Sequence, residues 1–534
     1  MRIPVIALAA LLWLAGPALA DPNADFEAGN AAQARGDFDA AIEDFAKVIA
    51  AKPDAAEAYF NRGNGYRGKR QLDQAIADFD EAITLKPDLA AAYASRGDAL
   101  DDKGLHDRAI ADYDKAIMLR PDAAGVYFDR GLAHTRAGHD DQAIADYGKA
   151  IELKPESAKV YGSRGNAYER KGLLDLAIAD YAKLIELEPD FAGAYFLRAN
   201  AYAQKGLHDQ AIADFTKTIE LKPNSPEARF NRGNSFENKG LHAQAIADYT
   251  KAIEVKPDFA AAYLGRAVAY ESTGRHDQAI DDASKAIGLK PNDALEYNGR
   301  GTAYDGKGLY DKAIADYDKS LALRPDFSEA FHNRGAAQEH KGLHDKAIAD
   351  YDKAIALKPD YAAAYFGRGL AYFGKGRFDQ AIADYGKAVE VAPKFADAYN
   401  NRGNAYQSEG QFDRAIADYD RAIDLDPKSP FAFYDRGNAY RGKGLSDKAI
   451  ADWTKAIELK PDFAAAYSNL ALATKGKSLK GKGVAASSNA GGLKLDSAAA
   501  YYSQGNAYES KGLHDQAIVE YGKAIELKPD YAEA

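Results

Sequence analysis

Cysteine is absent from this sequence, and tryptophan and methionine occur only twice each. The missing thiols exclude disulfide bonds, thiolate zinc sites, a cysteine nucleophile and lipid attachment at cysteine. Positive charge is also in deficit, because 69 lysines and arginines face 80 aspartates and glutamates, for a formal net charge of −11. Such a chain lacks the basic surface of most nucleic-acid-binding proteins, so we expect no nucleic-acid partner.

Long apolar runs are missing as well, except at the N-terminus. There, Arg2 precedes an apolar stretch from Val5 to Ala15, and the small-residue pattern Ala18-Leu19-Ala20 follows. This layout predicts a secretory signal peptide over residues 1–20, cut after Ala20, and a periplasmic or secreted protein. The stretch is short for a bilayer span, and an uncleaved N-terminal anchor is the alternative. We expect no transmembrane segment in the mature chain.

Repetition dominates the rest of the chain: one unit of 34 residues recurs fifteen times in an unbroken register. Within the unit at residues 362–395, Tyr365, Gly369 and Tyr372 follow spacings of four and three, which place them on one face of a helix. A second segment of the unit has the same spacing, so the pattern predicts two amphipathic helices per unit and an all-α fold. The units begin at Pro22, Ala56, Ala90, Ala124, Ala158, Ala192, Pro226, Ala260, Ala294, Ser328, Ala362, Ala396, Pro430, Ala464 and Ala498.

Glycine, proline and acidic residues mark the ends of these helices. Gly376 stands between the two helices of its unit, where a C-terminal cap needs a left-handed residue, and a proline ends the second helix. Asp54 with Glu57 is typical of a capping box for the next first helix. Gly63 is expected to face Ala75, because two helices approach closely only where neither carries a bulky side chain.

The 34-residue unit resembles the tetratricopeptide repeat. Its eighth position is glycine or alanine in all fifteen units, and its twentieth and thirty-second positions are alanine and proline in fourteen. The resemblance covers residues 22–531 and implies an α-solenoid, a right-handed superhelix of helix-turn-helix repeats whose first helices line a concave groove. It implies a protein-binding function only in general terms, because members of this family serve many processes.

Two departures divide the array. Residues 22–463 form units one to thirteen, and residues 464–497 form a degenerate unit whose second half is a Gly/Ser/Lys-rich segment, expected to be flexible and to break the second helix. Its lysines between Lys475 and Lys482 are either solvated or a cationic contact loop. Residues 498–531 form the last unit, and residues 532–534 begin a truncated one, so Ile518 and Tyr521 are expected to be uncapped and to allow self-association.

No catalytic, metal or cofactor site is predicted. Six histidines recur at the turn between the helices, and we expect them to be solvent-exposed, because no carboxylate–histidine spacing typical of metal sites accompanies them. An arginine at the seventh position occurs in twelve units, which indicates an architectural role. A ladder of arginine–aspartate pairs is expected, for example Arg96 with Asp112 or Asp78.

The family resemblance also locates a candidate peptide-binding groove on the first helices. Aromatic rings at the fifth position offer apolar area, and asparagines at the sixth and ninth positions offer both a donor and an acceptor to an extended peptide. The alternative is that these asparagines cap or bridge neighbouring helices. The candidates are Phe60, Phe128, Phe196, Phe230, Phe366 and Tyr434, with Asn61, Asn64, Asn166, Asn200, Asn231, Asn234, Asn333, Asn401, Asn404 and Asn438.

The sequence therefore predicts a scaffold that binds extended segments of other proteins in the groove of the repeats, in the periplasm or outside the cell. The alternative is a structural spacer subunit of an envelope polysaccharide or protein export complex. An enzyme is a remote third possibility, because the sequence contains no non-repeating catalytic segment.

Overall fold

The computed structural model describes residues 21–478 and 514–527. The predicted signal peptide, the segment at 479–497 with Lys480 and Lys482, and residues 498–513 and 528–534 lie outside this part of the chain. The described residues form 28 α-helices and no strand, as the all-α prediction requires. Within this part, no helix is both long enough and apolar enough to cross a membrane.

The chain divides into two compact units, Met1–Pro257 and Asp258–Ala534. Within each, consecutive helices pack as antiparallel hairpins, and each hairpin packs on the next. The helices of the first unit are α1 (Pro22–Ala34), α2 (Phe38–Ala51), α3 (Ala56–Gly68), α4 (Leu72–Leu85), α5 (Ala90–Asp102), α6 (His106–Leu119), α7 (Ala124–Arg136), α8 (Asp140–Leu153), α9 (Ala158–Arg170), α10 (Leu174–Leu187), α11 (Ala192–Gln204), α12 (His208–Leu221), α13 (Pro226–Asn238) and α14 (His242–Val255).

The second unit repeats the same hairpin. Its helices are α15 (Ala260–Ser272), α16 (His276–Leu289), α17 (Ala294–Gly306), α18 (Tyr310–Leu323), α19 (Ser328–His340), α20 (His344–Leu357), α21 (Ala362–Gly374), α22 (Phe378–Val391), α23 (Ala396–Ser408), α24 (Phe412–Leu425), α25 (Pro430–Gly442), α26 (Ser446–Leu459), α27 (Ala464–Ser478) and α28 (His514–Leu527). Odd-numbered helices up to α27 are the first helices of their repeats, and α28 is the second helix of the last repeat.

The turn between the two helices of a repeat adopts the predicted left-handed conformation. Twelve glycines at this turn have a positive φ, among them Gly376 with φ 70°. In the repeat at 56–89 the turn residue is Arg70, whose φ of 59° makes it the one non-glycine residue with a positive φ among the described residues. A side chain is strained there, because its Cβ crowds the following carbonyl oxygen.

The close approach of the two helices is built differently from the prediction. A β-carbon added to Gly63 would meet the ring of Phe79 at 2.7 Å, and one added to Gly97 would meet the ring of Tyr113 at 2.8 Å. The small residue therefore makes room for an aromatic ring of the second helix, not for an alanine. Ala75 is fully buried in the core beside that ring.

The expected capping box is also wrong. Helix α3 begins at Ala56 and has Ala55 at its N-cap without a side-chain cap. Asp54 stands one residue too early to cap, and the carboxylate of Glu57 instead accepts a hydrogen bond from Lys86 Nζ at 2.8 Å. That hydrogen bond is the main cause that lowers the pKa of Glu57 below its ordinary value.

The arginine–aspartate ladder is present in all twelve repeats that carry the arginine. Arg62 donates from Nε and Nη2 to the two carboxylate oxygens of Asp78, at 2.8 and 2.7 Å. Arg96 pairs in the same way with Asp112, as expected, but its third contact is Asp80 of the preceding repeat, not Asp78. Each arginine thus joins the helices of its hairpin, and five of the twelve also reach an aspartate of the preceding repeat.

Candidate binding face of the first helices

The sixteen predicted groove residues all lie on first helices. Fourteen are partly buried, Phe128 is buried and Asn166 is exposed. They belong to α3, α7, α9, α11 and α13 in the first unit, and to α19, α21, α23 and α25 in the second.

The aromatic rings at the fifth position pack against core rings of the second helix. Phe60 packs on Phe79 of the second helix with ring centroids 6.0 Å apart, and Phe196 packs edge-on against Phe215 at 5.8 Å. The same pairing recurs for Phe128, Phe230 and Phe366. Each ring is therefore held rigidly, and all but the buried Phe128 stay partly accessible, a favourable state for apolar contact with a partner.

Several asparagines bridge consecutive repeats, as the alternative interpretation stated. Asn61 Nδ2 donates to Asn30 Oδ1 at 3.0 Å, and Asn231 Nδ2 donates to Asn200 Oδ1 at 2.9 Å. In both pairs the sixth position of one repeat bonds to the ninth position of the repeat before it. Each bond uses one hydrogen of one amide and one oxygen of the other, so half of each carboxamide stays open for a ligand.

The ninth-position side chain also lies within hydrogen-bond distance of the second helix where that helix supplies a polar ring. Tyr249 Oη donates to Asn234 Oδ1 at 2.7 Å, and Tyr419 Oη donates to Asn404 Oδ1 at 2.7 Å. Asn438 Oδ1 accepts from Trp453 Nε1 and also from Asn469 Nδ2 of the next repeat. Asn166 Oδ1 lies 2.8 Å from Tyr181 Oη, whose one proton is donated to the carboxylate of Glu169. Phenylalanine stands at that ring position behind Asn30 and Asn200, and those two accept from the next repeat instead.

The remaining candidate asparagines differ from one another in their hydrogen-bond partners. Asn333 Nδ2 donates to Asn298 Oδ1 at 3.2 Å, and Asn401 Nδ2 donates to the Asp397 backbone carbonyl at 2.9 Å. Asn64, backed by Phe79, makes no side-chain hydrogen bond within the described part of the chain.

In one place two carboxylates occupy the bridging positions. Asp129 at the sixth position of its repeat faces Asp98 at the ninth position of the repeat before it. Burial, followed by the charge of Asp98, raises the pKa of Asp129 to about 6, while Lys159 and Arg67 act in the opposite direction. Asp98 itself accepts from Tyr113 Oη at 2.8 Å and pairs with Arg67 Nη1 at 2.8 Å.

The first unit carries a cavity of about 290 Å³ among these amides, which we call the amide cavity. Its lining includes three predicted residues, Asn200, Asn231 and Asn234. It also includes residues that the sequence analysis did not select, Glu169, Ala203, Gln204, His208, Phe215, Ser235 and Asn238. Glu169, Gln204 and Asn238 stand at the twelfth and thirteenth positions of first helices, so their place in the repeat could have identified them.

A second cavity of about 380 Å³ lies at the other end of α11, and we call it the apolar cavity. Phe191 and Phe196 line it together with Gly193 and Thr218. A β-carbon on Gly193 would meet the Phe191 ring at 2.6 Å, so the glycine lets that ring lie across the start of the helix. Phe191 is 49 % exposed, which makes it available to a partner.

The recurrent histidines are not the free turn residues that we expected. All six stand at the first residue of second helices, and the five within residues 21–478 are partly buried. Nδ1 of His242, His276 and His344 lies 2.8–3.0 Å from the carboxylate of Glu237, Glu271 and Glu339 respectively. His208 differs, because Ala203 replaces the glutamate and Nδ1 is buried without a hydrogen-bond partner. Over residues 21–478 and 514–527, no group of three or more histidine, aspartate or glutamate side chains is placed to hold a metal ion.

Family comparisons agree with the repeat geometry. Matches described as "Tetratricopeptide repeat" cover residues 294–327, 396–429 and 498–531 for one family model, and 26–90, 163–226 and 230–294 for another. A third model, described as "TPR repeat", matches residues 97–138, 135–172, 340–376, 371–410 and 437–477. The chain belongs to the tetratricopeptide repeat family. Tetratricopeptide proteins are generally non-enzymatic interaction scaffolds, and this chain has the architecture of such a scaffold.

Solved structures that resemble this chain in fold share little sequence identity with it. Cut9 in the APC/C hetero-tetramer Cut9–Hcn1 is 15 % identical over 85 % of this chain and 97 % of its own, with a TM-score of 0.43. Yeast Tom70 is 18 % identical over 80 % and 97 %, with a TM-score of 0.41. YrrB, described as a TPR protein with an unusual peptide-binding site, is 24 % identical over 34 % and 95 %, with a TM-score of 0.32. None of these likenesses bears on function at such values, and a search of curated proteins gave no match.

Proposed function

We propose that this tetratricopeptide protein binds extended segments of other proteins along its first helices, in the periplasm or outside the cell, and has no catalytic role. One observation carries the proposal: first helices present partly buried asparagines with an open amide group, among them Asn200, Asn231 and Asn234, next to rigid and mostly part-accessible aromatic rings. Such amides pair with a peptide backbone regardless of its sequence, and the rings supply area for side chains. The signal-like sequence of residues 1–20 supports the location.

A capture experiment tests the binding face. Residues 21–534 would serve as bait against an envelope extract of the source organism, and the test variant would carry Asn64→Arg, Asn234→Arg and Asn404→Arg. These three side chains share the ninth position, so three long cations would obstruct the face. We expect a captured protein to be lost.

A charge-matched control has the same three arginines on the second helices. Gln142, Gln210 and Gln244 are exposed and share the nineteenth position of their repeats, so their replacement by arginine should leave capture unchanged. Circular dichroism would establish that both variants are folded. A partner that the test variant retains would contradict binding on the first helices and would favour the spacer function.

We further propose self-association through the last helix, α28. Ile518 is 67 % exposed and Val519 is 56 % exposed, which leaves apolar area for a second copy. Ile518→Glu is expected to shift sedimentation at high concentration towards the monomer. A wild-type chain that sediments as a monomer at every concentration would refute this part of the proposal.

A further inference from the structure

The amide cavity contains an unusual density of carboxamides. Four of them, Asn200, Asn231, Asn234 and Asn238, come from two neighbouring first helices, and Gln204 completes the set. Lysine and arginine do not line it. A cavity of this composition is neither an anion site nor an apolar pocket.

Hydrogen bonds within the protein determine which group of each amide, the oxygen or the NH₂, remains free. The oxygens of Asn200 and Asn234 already accept from Asn231 Nδ2 and Tyr249 Oη, so their NH₂ groups are the free ends. Asn238 Nδ2 donates to the backbone carbonyl of Asn234 at 2.8 Å, which leaves its oxygen free, and the oxygen of Asn231 is free for the same reason.

Only one formal charge borders the cavity, and it is already paired. Glu169 accepts from Gln204 Nε2 at 2.5 Å and from Tyr181 Oη at 2.8 Å, one donor for each carboxylate oxygen. An incoming cation would therefore meet a carboxylate with two donors in place, and an incoming carboxylate would meet no cation. The free groups are two NH₂ donors and a set of neutral acceptors, next to the unpartnered Nδ1 of His208.

We infer that the amide cavity is a side-chain pocket for a neutral carboxamide, a glutamine or asparagine of the bound segment. This inference rests on the proposed peptide-binding function and specifies its selectivity. A carboxamide presents one acceptor oxygen and one NH₂ donor, the complement of the free groups in the cavity. Polar pockets discriminate strongly, because a ligand without the matching groups leaves buried donors and acceptors unpaired.

The position of the apolar cavity predicts how far an apolar residue lies from the glutamine or asparagine in the bound segment. Phe196 lines it, and Asn200, one helical turn further along α11, lines the amide cavity. One turn spans about 5.4 Å, and alternate side chains of an extended peptide are about 7 Å apart. A bound segment is therefore expected to place an apolar residue two to four positions from the glutamine or asparagine.

Selection from a random peptide display library on residues 21–534 tests this inference. We expect enrichment of glutamine or asparagine two to four positions from an apolar residue. A selected peptide that carries glutamate or leucine in place of the amide should bind at least about tenfold more weakly. This ratio corresponds to the loss of one hydrogen bond.

Asn234→Asp is the matched variant. Its carboxylate can still accept from Tyr249, because Asp98 accepts from Tyr113 at the same repeat position, but the free NH₂ donor is lost. We expect the preference for the amide to disappear. Asn200→Asp, which keeps the acceptor for Asn231, should act in the same direction and serves if the first variant folds poorly. Gln244→Glu makes the same change from amide to carboxylate at an exposed position of the second helix α14, outside the cavity. It is the control and should retain the preference.

The outcomes separate this inference from the proposed function. Enriched peptides without an amide preference, or a preference that survives both cavity variants, would overturn the inference and leave peptide binding intact. No enrichment over an unrelated helical protein would overturn both.

Discussion

The residue that closes the turn of a hairpin illustrates how one side chain acts within a repeat. Glycine adopts the left-handed conformation without penalty, and twelve described turns use it. Arg70 adopts the same conformation with a φ of 59°. The backbone of the repeat thus imposes the turn on a residue that does not favour it.

Arg70→Gly is therefore expected to stabilise the repeat at 56–89 by about 1 kcal/mol, because the strain of the left-handed side chain is removed. Hydrogen exchange of α3 and α4 should slow by roughly fivefold if local opening reports that change. The converse substitution, Gly104→Arg, serves as the control and should accelerate exchange in α5 and α6. Unchanged exchange in both variants would show that the turn conformation carries no strain.

At the scale of the helical elements, arginine–aspartate pairs link the helices within a hairpin and between hairpins. Arg96 stands between the carboxylates of Asp112 and Asp80 and lies 5.6 Å from the ring centroid of Tyr93. Asp112 is 7 % exposed, so its charge depends on this arginine for compensation. The contact joins α5 to the second helices on both sides of it.

Asp112→Leu should destabilise the local hairpin by about 2–4 kcal/mol, because the partly buried Arg96 loses both hydrogen bonds to Asp112 and keeps only the more exposed Asp80 as a partner. The double variant with Arg96→Met should cost less than the sum of the two single changes. Hydrogen exchange of α5 and α6 measures this coupling. Asp73→Asn, which removes the exposed pair with Lys103, is the control and should change stability by less than about 1 kcal/mol. Additive effects of Asp112→Leu and Arg96→Met would exclude a coupled ladder.

The contact between Asp98 and Asp129 predicts a pH-dependent junction. The folded-state pKa of Asp129 is raised from 3.8 to about 6, so the folded chain holds a proton that the unfolded chain releases. Its contribution to stability is present below about pH 4 and is lost as the pH rises to about 6. Asp129→Asn supplies a permanent N–H donor, like Asn61 and Asn231, and should stabilise this junction at pH 7 by on the order of 1–2 kcal/mol after allowance for partial exposure.

Amide hydrogen exchange in α5 and α7, measured from pH 4 to 7 and corrected for intrinsic exchange rates, tests this prediction. The wild-type chain should lose protection across this window, while Asp129→Asn should not lose it. The charged and polar groups that face the pair are Arg67, Tyr113 and Lys159, with Asp102 beside Asp98. Equal pH dependence in both proteins would show that Asp129 does not control the junction.

At the scale of the whole molecule, the N-terminal region connects processing with the fold. Asp21 is the N-cap of α1 and accepts from the Asn23 backbone N–H at 3.0 Å, and Pro22 occupies the first helical position. A cut after Ala20 would thus release the repeat array with its first cap intact. The repeat begins where the predicted signal peptide ends.

Expression of the full chain in a secreting bacterium should yield a periplasmic or extracellular protein whose N-terminus is Asp21, as determined by mass spectrometry. Ala20→Phe removes the small residue at the cut and should leave the precursor unprocessed. Ala24→Ser, beyond the predicted site, should not change processing. A cytoplasmic product that retains Met1 would contradict the predicted location.

Local periodicity made much of the fold predictable from the sequence. The spacings of three and four, the glycine at the turn and the proline at the end recur in nearly every repeat, and each acts on residues close to it in sequence. The predicted hairpins match the structure from Pro22 to Leu459, and the first helix of the next repeat follows at Ala464–Ser478. The arginine–aspartate pair was also predictable, because it recurs at a fixed separation within one repeat.

Only the tertiary structure decided what the predicted groove residues do. The partner of Asn200 lies 31 residues away in the next repeat, whereas Asn234 accepts from Tyr249 of the second helix in its own repeat. The amide cavity needs both helices and the missing glutamate beside His208. The sequence by itself determined the hairpin, since helix formation is a short-range property. Packing between repeats decided which amides are used internally and which stay open for a ligand, because hydrogen-bond partners are chosen by distance in space.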